Sequence, residues 1–390
     1  MKILFILNSF YAAGNGLSAS ARRTVKVLRE MGHEVRILSG PNLGAAEPQP
    51  DYLLKEYRFP FFQGIISANG YSYASSNPAL TEEAVKWADV VHLEEPFVIE
   101  DKAIPIVKRL GKPLTVTYHL HPENITSAMG RILYWKFLNR IILRAWCNHT
   151  FNRCQYVQCP TENVHDRLRR YHLKSQMRVI SNGLLPDPCI RPETPPADYE
   201  DPQRPLKVVC IGRFSVEKDQ PTLLEAMRYS NHARRIQLLF AGQGPTEKKL
   251  RRKAQKLYED GILAYPPEFR FCNRDQLRVL ASEADLCIHC AFIEVEGLSI
   301  MEAIQQGAVP IIAEGRYTGT SQFAMDRHSI FPAKNPEALA HRIDYWLDRP
   351  KERWETGWKY VEFIKQYDIQ KSVEQLVQMF QEAIDDKKKC

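Results

Sequence analysis

The run FIEVEGLSIMEA, Phe292 to Ala303, sets Glu294 and Glu302 eight positions apart, with Gly297 between them and an apolar helix expected from Leu298. Carboxylates on a glycine-containing strand-to-helix turn can accept hydrogen bonds from sugar and ribose hydroxyls. The unpaired N–H groups of the helix's first turn favour an anion such as a phosphate. The spacing alone would equally suit two solvated acids near a helix start, so its weight comes from the surrounding loops. Upstream, the strand LKVVCIG runs into RFSVEKDQPTLLEA, which puts Arg213 and Lys218 at the C-terminal mouth of a parallel strand. Open α/β sheets bind ligands there. Arginine offers phosphate oxygens a planar fork and lysine a mobile point charge. The next strand ends in AGQGPTEKKL, a second glycine turn with Gly242 and Gly244, and EFRFC ends at Cys272 and Asn273, where a base can rest. In the first half, YAAGNGLSAS follows the first strand: Gly14 and Gly16 let the backbone approach a ligand, and Ser18 can cap the helix. The third glycine of a dinucleotide fingerprint is missing, and a plain tight turn fits that loop equally well.

The elements that must hold these residues alternate in type. KILFIL, HEVRILS, ADVVHLE, PLTVTYH and MRVIS read as strands in the first half, and LKVVCIG, IQLLFAG, EFRFC, ADLCIHC and AVPIIA in the second. They are mostly continuous apolar runs, as in parallel sheets buried on both faces. Helical stretches such as Ser18 to Met31 and Pro105 to Leu110 lie between them. The stretch from Ser181 to Pro205, dense in proline and acid, reads as an interdomain linker. The expected class is therefore α/β: two doubly wound, Rossmann-like domains in tandem, which 390 residues are enough to fill. Their expected bounds are 1–182 for the N-terminal, acceptor-side domain, 183–205 for the linker and 206–350 for the C-terminal domain. Helices and a solvated DDKKKC tail fill 351–390, with a helix at about 368–386 expected to return to the first domain.

Bulk composition narrows the function classes. A hydrophobic fraction of 44% and a charged fraction of 25% are those of a soluble globular protein. No apolar run approaches a membrane span, and MKILFILNSF reads as a first strand rather than a secretory signal. Nine cysteines without framework spacing suit a reducing cytosol. Cys287 and Cys290 form a single C-x-x-C, and a structural zinc needs four ligands, so no metal is expected. Between Ile125 and Ile180 ten basic residues face two acids, a patch suited to an anionic partner. Within it, RILYWKFLNRIILRAWCNHTFNR drawn as a helix sets Lys136, Arg140 and Arg144 along one stripe. Trp135, Leu138, Ile142 and Trp146 fall opposite, with Tyr134 and Ile141 at the edge. That is the make-up of a helix lying in a membrane interface, or of an amphipathic helix burying its apolar face in its own core.

With these pieces in order, the chain resembles the retaining nucleotide-sugar glycosyltransferases of family four, which have the GT-B fold of two Rossmann-like domains facing across a cleft. GHEVRILS, IGRFSVEKDQPTLLEA, LLFAGQGP, FRFCNRDQL, ADLCIHCAFIEVEGLSIMEAIQQGAVPIIA and NPEALAHRI carry the likeness, closely in the second half and loosely in the first. The resemblance implies that Arg213 and Lys218 hold the donor diphosphate, Glu302 the ribose and Glu294 the donor sugar. It implies that Leu298 and Ser299 supply helix-start amides, and that His119 in TVTYHLHPEN projects towards the sugar, with His121 its near neighbour in sequence. Catalysis would then need no metal and no cofactor, with same-face attack assisted by the leaving phosphate. Departures exist: Cys290-Ala291 stands for the usual Pro-Ser, and Val295-Glu296 for the usual Gly-Phe, which bears on the donor.

The chain is also similar to bacterial glycolipid synthases of this family, which add a sugar to diacylglycerol or ceramide. The expected protein is thus a UDP-hexose-dependent transferase, for glucose or galactose, peripheral on an anionic inner membrane face, acting on a lipid hydroxyl and not on nucleic acid. A transferase of polysaccharide or lipopolysaccharide assembly and a GT-B sugar-nucleotide epimerase are the alternatives.

Overall fold

Short apolar runs bounded by turn residues become the strands of two parallel sheets. The computed structural model describes residues 1–11, 16–41, 49–58, 63–64, 72–128 and 136–389. In the first sheet β1 (Lys2–Ile6), β2 (Glu34–Ser39), β3 (Tyr52–Leu53), β4 (Val90–Leu93), β5 (Leu114–Thr117), β6 (Tyr156–Cys159) and β7 (Gln176–Val179) lie in the order β3-β2-β1-β4-β5-β6-β7. Every pairing is parallel. The second sheet comprises β8 (Leu206–Ile211), β9 (Ile236–Ala241), β10 (Glu268–Arg270), β11 (Leu286–His289), β12 (Val309–Glu314) and β13 (Ile330–Pro332), in the order β10-β9-β8-β11-β12-β13. It too is parallel throughout. Strand order reverses between β1 and β4 and again between β8 and β11, and the carboxyl ends of strands at such a reversal are where open α/β sheets bind ligands.

The chain divides into two units, Met1–Pro122 with Arg131–Leu185 and Tyr367–Cys390, and Glu123–Gly130 with Pro186–Gln366. In the first unit Ile3 and Phe5 of β1 pack with Val25 and Leu28 of α1 (Gly16–Glu30). The C-terminal helix Ile369–Lys389 closes this core with Ile369, Val373, Leu376, Met379 and Phe380. Burying each such side chain stabilises by about 1.5–3 kcal/mol. The helix runs on through Lys389, where the sequence suggested a solvated tail: the three lysines sit in its last turn, favourable to the helix dipole.

The proline-rich stretch read as an interdomain linker is held against the second unit from Pro186 on. Arg191 donates to the carbonyl of Gly307 and lies 4.1 Å over the Trp354 ring, and the Tyr199 hydroxyl accepts from Arg353 Nε at 3.0 Å. Asp285 anchors both Arg204 and Arg353, at 2.6 and 2.8 Å. Pro105 lies inside α2 (Val98–Arg109) rather than at a helix start. Strands β6 and β13 had escaped the sequence reading. The helix Pro350–Ile364 belongs to the second unit.

Candidate active site

In the second unit the loops after β8, β9 and β11 converge. After β8 the chain passes Arg213 and turns through a single 3-10 turn, Val216–Lys218. Arg213 Nη2 donates to Glu217 Oε1 at 2.9 Å, and Ser215 Oγ donates to the same oxygen at 2.5 Å. Glu217 is itself buried, so the Arg213 fork is aimed by a fixed carboxylate. The sequence reading passed over Glu217, although its place four residues after Arg213 in RFSVEK was the available signal.

After β11 comes the short strand Ile293–Glu294, paired in parallel with Tyr317–Thr318, and then a tight turn into α5, defined here as the second unit's helix from Leu298 to Gln305. Gly297 caps that helix at φ +87°, and a Cβ there would lie 2.3 Å from Thr320 Cγ2. Glycine is therefore required both by backbone conformation and by space. Having no side chain, it leaves the first-turn amides of Leu298 and Ser299 to a ligand or water. Ser299 Oγ donates to the Ile211 carbonyl at 3.3 Å, which seats the helix start against the end of β8. Glu302 sits one turn in, half-buried.

Glu294 brings these loops together. Lys218 Nζ donates to its Oε2, and His289 Nε2 lies 3.4 Å from the same atom. Burial pushes the Glu294 carboxyl upward, but Lys218 and His289 outweigh it and hold the group well below the usual carboxylate range. His289 is buried at the end of β11, and burial lowers its own pKa. His289 is a second residue that the sequence reading missed: its signal was a histidine inside the otherwise apolar strand LCIH. Glu296 is 2% exposed and lies in the same turn.

Three expected donor-loop residues have structural work of their own. A Cβ on Gly242 would sit 2.0 Å from the Gly212 carbonyl oxygen, and one on Gly244 2.3 Å from that of Phe214. These glycines let the β8 and β9 loops touch backbone to backbone. Asn273 caps α4 (the helix Arg274–Ser282) through a reciprocal pair with Gln276, at 2.9 and 3.0 Å, and β10 stops at Arg270, short of Cys272. Cys287 and Cys290 are buried thiols pushed above the ordinary range by burial. Among the described residues no group of three or more His, Cys, Asp or Glu is arranged to hold a metal ion.

In the first unit Gly14 lies outside the described residues, as do Tyr134 and Trp135 and most of the aromatic segment 57–73. Gly16 opens α1 and is exposed. Ser18 is the third residue of α1, not its cap, and its hydroxyl donates to the Ser9 carbonyl at 2.5 Å. His119 follows β5 and its Nε2 bonds Glu94 at the end of β4. His121 is committed elsewhere, with Nδ1 2.8 Å from both the Tyr118 hydroxyl and Arg167. Of the basic patch, Arg167 is thus internal, and Arg178 pairs with Glu382 at 2.8 Å. Lys136, Arg140 and Arg144 are exposed on α3, here the helix Lys136–His149. Its buried side is Asn139, Leu143, Trp146 and Cys147, whereas Phe137 and Ile141 stay 68% and 49% exposed beside the basic stripe. No helix of the described residues is long and apolar enough to cross a membrane.

Residues 193–360 match the family model described as glycosyl transferases group 1, and residues 14–187 match that of glycosyltransferase family 4. Among curated relatives, the α-monoglucosyldiacylglycerol synthase of Streptococcus pneumoniae is 23% identical over 81% of this chain and 71% of its own. A GDP-mannose-dependent α-mannosyltransferase of Mycolicibacterium smegmatis is 22% identical over 80% of this chain and 79% of its own. The sucrose-phosphate synthase structure from Thermosynechococcus elongatus superposes with a TM-score of 0.71, at 18% identity, over 99% of each chain. Two parallel Rossmann-like sheets and two family matches that between them span most of the sequence lead to one conclusion: this chain belongs to the family 4, group 1 glycosyltransferases, enzymes of the GT-B fold.

Proposed function

We propose that this glycosyltransferase moves a hexose, glucose or galactose, from a UDP-linked donor to the hydroxyl of a membrane lipid such as diacylglycerol or ceramide, with retention of configuration. The observation that carries the reading is that the loops after β8 and β11 bring together the Arg213–Glu217 pair, the Lys218–Glu294 pair and the open start of α5. Two cations and a helix N-terminus suit a diphosphate, and a carboxylate beside them suits sugar hydroxyls. As the bond from the anomeric carbon to the diphosphate breaks, negative charge grows on the leaving phosphate. Fixed positive groups stabilise that charge more than they stabilise the ground state. Arg213 and Lys218 do this without a metal or cofactor. Glu302 receives the ribose and His119 the sugar. The acceptor hydroxyl attacks from the face the phosphate leaves, and its proton passes to a phosphate oxygen.

The lipid acceptor is supported by the likeness to a diacylglycerol glucosyltransferase and by α3. Exposed Phe137 and Ile141 beside Lys136, Arg140 and Arg144 suit peripheral attachment to an anionic surface on the cytoplasmic face. The test offers UDP-glucose, UDP-galactose and GDP-mannose to the purified protein, with diacylglycerol, ceramide or soluble sugars as acceptors, and identifies products by mass spectrometry. A glycosylated lipid is the expected product. Transfer only to soluble sugars would replace this reading with a polysaccharide-building transferase, and an altered sugar nucleotide without acceptor would point to an epimerase.

A further inference from the structure

Glu94 is the first residue beyond β4 and His119 the second beyond β5, two neighbouring parallel strands. The Glu94 backbone N–H still donates to the Ile6 carbonyl at 3.1 Å, so its Cα is held in the sheet. Its carboxylate is 3% exposed and meets His119 Nε2. A buried carboxylate needs a partner, and the other candidate is His92, whose Nε2 lies 3.8 Å from Glu94 Oε1.

The hydrogen-bond chain across the sheet decides between them. Gln158 Nε2 donates to the Ile180 carbonyl at 2.9 Å, so Gln158 Oε1 is the acceptor for the Thr117 hydroxyl at 2.7 Å. Thr117 has then spent its only proton, and its oxygen must accept from His92 Nε2 at 2.9 Å. His92 Nδ1 lies 2.8 Å from the Thr115 hydroxyl, whose other acceptor, the Val91 carbonyl, is at 3.5 Å, so the shorter contact takes the Thr115 proton. Both nitrogens of His92 are occupied and the ring is neutral, with burial bringing its pKa to about 4. That leaves His119 as the partner of Glu94. Burial pushes the Glu94 carboxyl up, but its pairing with His119 prevails and keeps it ionised.

We infer that Glu94 is a positioning residue for His119: by taking Nε2–H it fixes the imidazole ring at the end of β5 and leaves Nδ1 as the nitrogen that meets a hydroxyl of the donor sugar. The inference rests on the proposed transferase reaction. It extends that reaction by a residue which the likeness to the family does not assign and by a direction for the hydrogen bond. With the carboxylate on Nε2–H, Nδ1 is the ring atom left for the sugar, an acceptor for a sugar hydroxyl in the neutral form of the ring. Rotation of the ring or transfer of its proton to Nδ1 would remove that acceptor.

The variants are Glu94→Gln, which keeps the shape but replaces the anionic acceptor by an amide that can accept or donate, Glu94→Asp, His119→Ala and the double variant E94Q/H119A. With 15N-labelled histidine, the two-bond 1H–15N correlation should place the His119 proton on Nε2 in the unmodified protein and shared between Nε2 and Nδ1 in E94Q. In the glucosyl transfer from UDP-glucose to diacylglycerol, E94Q should lower kcat by roughly 10- to 100-fold, the scale of a misplaced reacting group. The affinity for UDP, measured by calorimetry, should not change. E94D should recover part of the loss, and E94Q/H119A should be no slower than H119A. A His119 proton unmoved in E94Q, full turnover in E94Q, or a loss in the double variant that multiplies the two single losses would overturn the inference. If the unmodified protein transfers sugar from no donor, the proposed reaction fails, and the NMR pattern still decides the pairing on its own.

Discussion

Both units hold a carboxylate against a nitrogen-bearing side chain at the ends of their central strands, but the contacts differ in kind. In the second unit Lys218 and Arg213 keep 20% and 37% of their side chains exposed, and each leans on a carboxylate that is nearly or fully buried. In the first unit Glu94, Glu95, Glu100 and His92 are all shut away from solvent, and the His119 side chain is 6% exposed. A cation at the surface of its carboxylate can transfer to a stronger anion at small cost. A pair sealed inside the protein cannot, because separating it leaves a bare charge in a poor solvent. On the proposed reaction, the second unit thus suits an exchange of partners with a diphosphate, and the first holds a group still.

The comparison is broken most directly by removing the exchangeable cations. Arg213→Ala and Lys218→Ala should each lower turnover by roughly 100-fold or more, as for loss of one oxyanion donor, read in steady-state transfer from UDP-glucose. Full activity in both would mean that the cations serve only their carboxylates.

The next effect tests whether α3 adds a third kind of charge, one facing a surface. With Lys136, Arg140 and Arg144 all changed to Glu, binding to anionic vesicles should fall by roughly 100-fold, at about 1 kcal/mol for each basic residue lost. Flotation with phosphatidylserine and with neutral vesicles, at low and high salt, reads this. Unchanged binding would assign the stripe to solvent.

Within the second unit, Glu302→Ala should weaken UDP binding by roughly 10-fold, the worth of one hydrogen bond to a charged group, whereas Glu294→Ala should spare UDP binding and impair transfer. Calorimetry with UDP separates them, and equal losses would contradict the division of roles.

The smallest effect sharpens the first unit's side. Glu95 Oε2 accepts from both the backbone N–H and the side-chain amide of Asn8, at 3.0 and 2.8 Å, and Glu100 lies on the same amide at 3.4 Å. Burial first, and Glu95 second, push the Glu100 pKa well above the carboxylate range. The folded state therefore keeps a proton that the unfolded chain gives up above about pH 4.3. Stability from this site is complete below that pH and is lost as pH rises towards the folded pKa. Glu100→Gln, which mimics the protonated acid, should leave thermal stability unchanged near pH 4 and raise it at pH 8 by about 1–2 kcal/mol. A difference independent of pH would show that no proton is held there.

How much of this was legible in the sequence follows the same division. In the second unit the partners of the site lie in short contiguous phrases, so RFSVEK and FIEVEGLSIMEA displayed Arg213, Lys218, Glu294 and the helix start together. In the first unit Glu94 and His119 are 25 residues apart, and only the adjacency of β4 and β5 makes them neighbours. Chain order does not reveal which strands adjoin, and HLEEPF read as no more than a strand end. The glycines of AGQGP are ambiguous for a related reason. A tight turn against a ligand and one against another loop use the same residue, and it takes the fold to show that a Cβ on Gly242 would fall 2.0 Å from the Gly212 carbonyl oxygen. Strand β6 is only YVQC, four residues with Gln158 among them, and lacks the continuous apolar run that marked its neighbours.

The C-terminal helix gives the first unit an unusual schedule of assembly. Phe380 rests edge-on against His92, 5.2 Å between ring centroids, and the same helix covers β1 residues made long before it. Between the two, the ribosome must produce Pro186–Gln366, about 180 residues, which takes roughly 10–40 s at about 5–20 residues per second. For that interval Ile3, Phe5, Val25 and Leu28 lack their cover, while the second unit has all of its own chain in hand before the helix emerges. The unit that begins first therefore finishes last, and its half-built apolar face is the part of the nascent chain that most needs a chaperone.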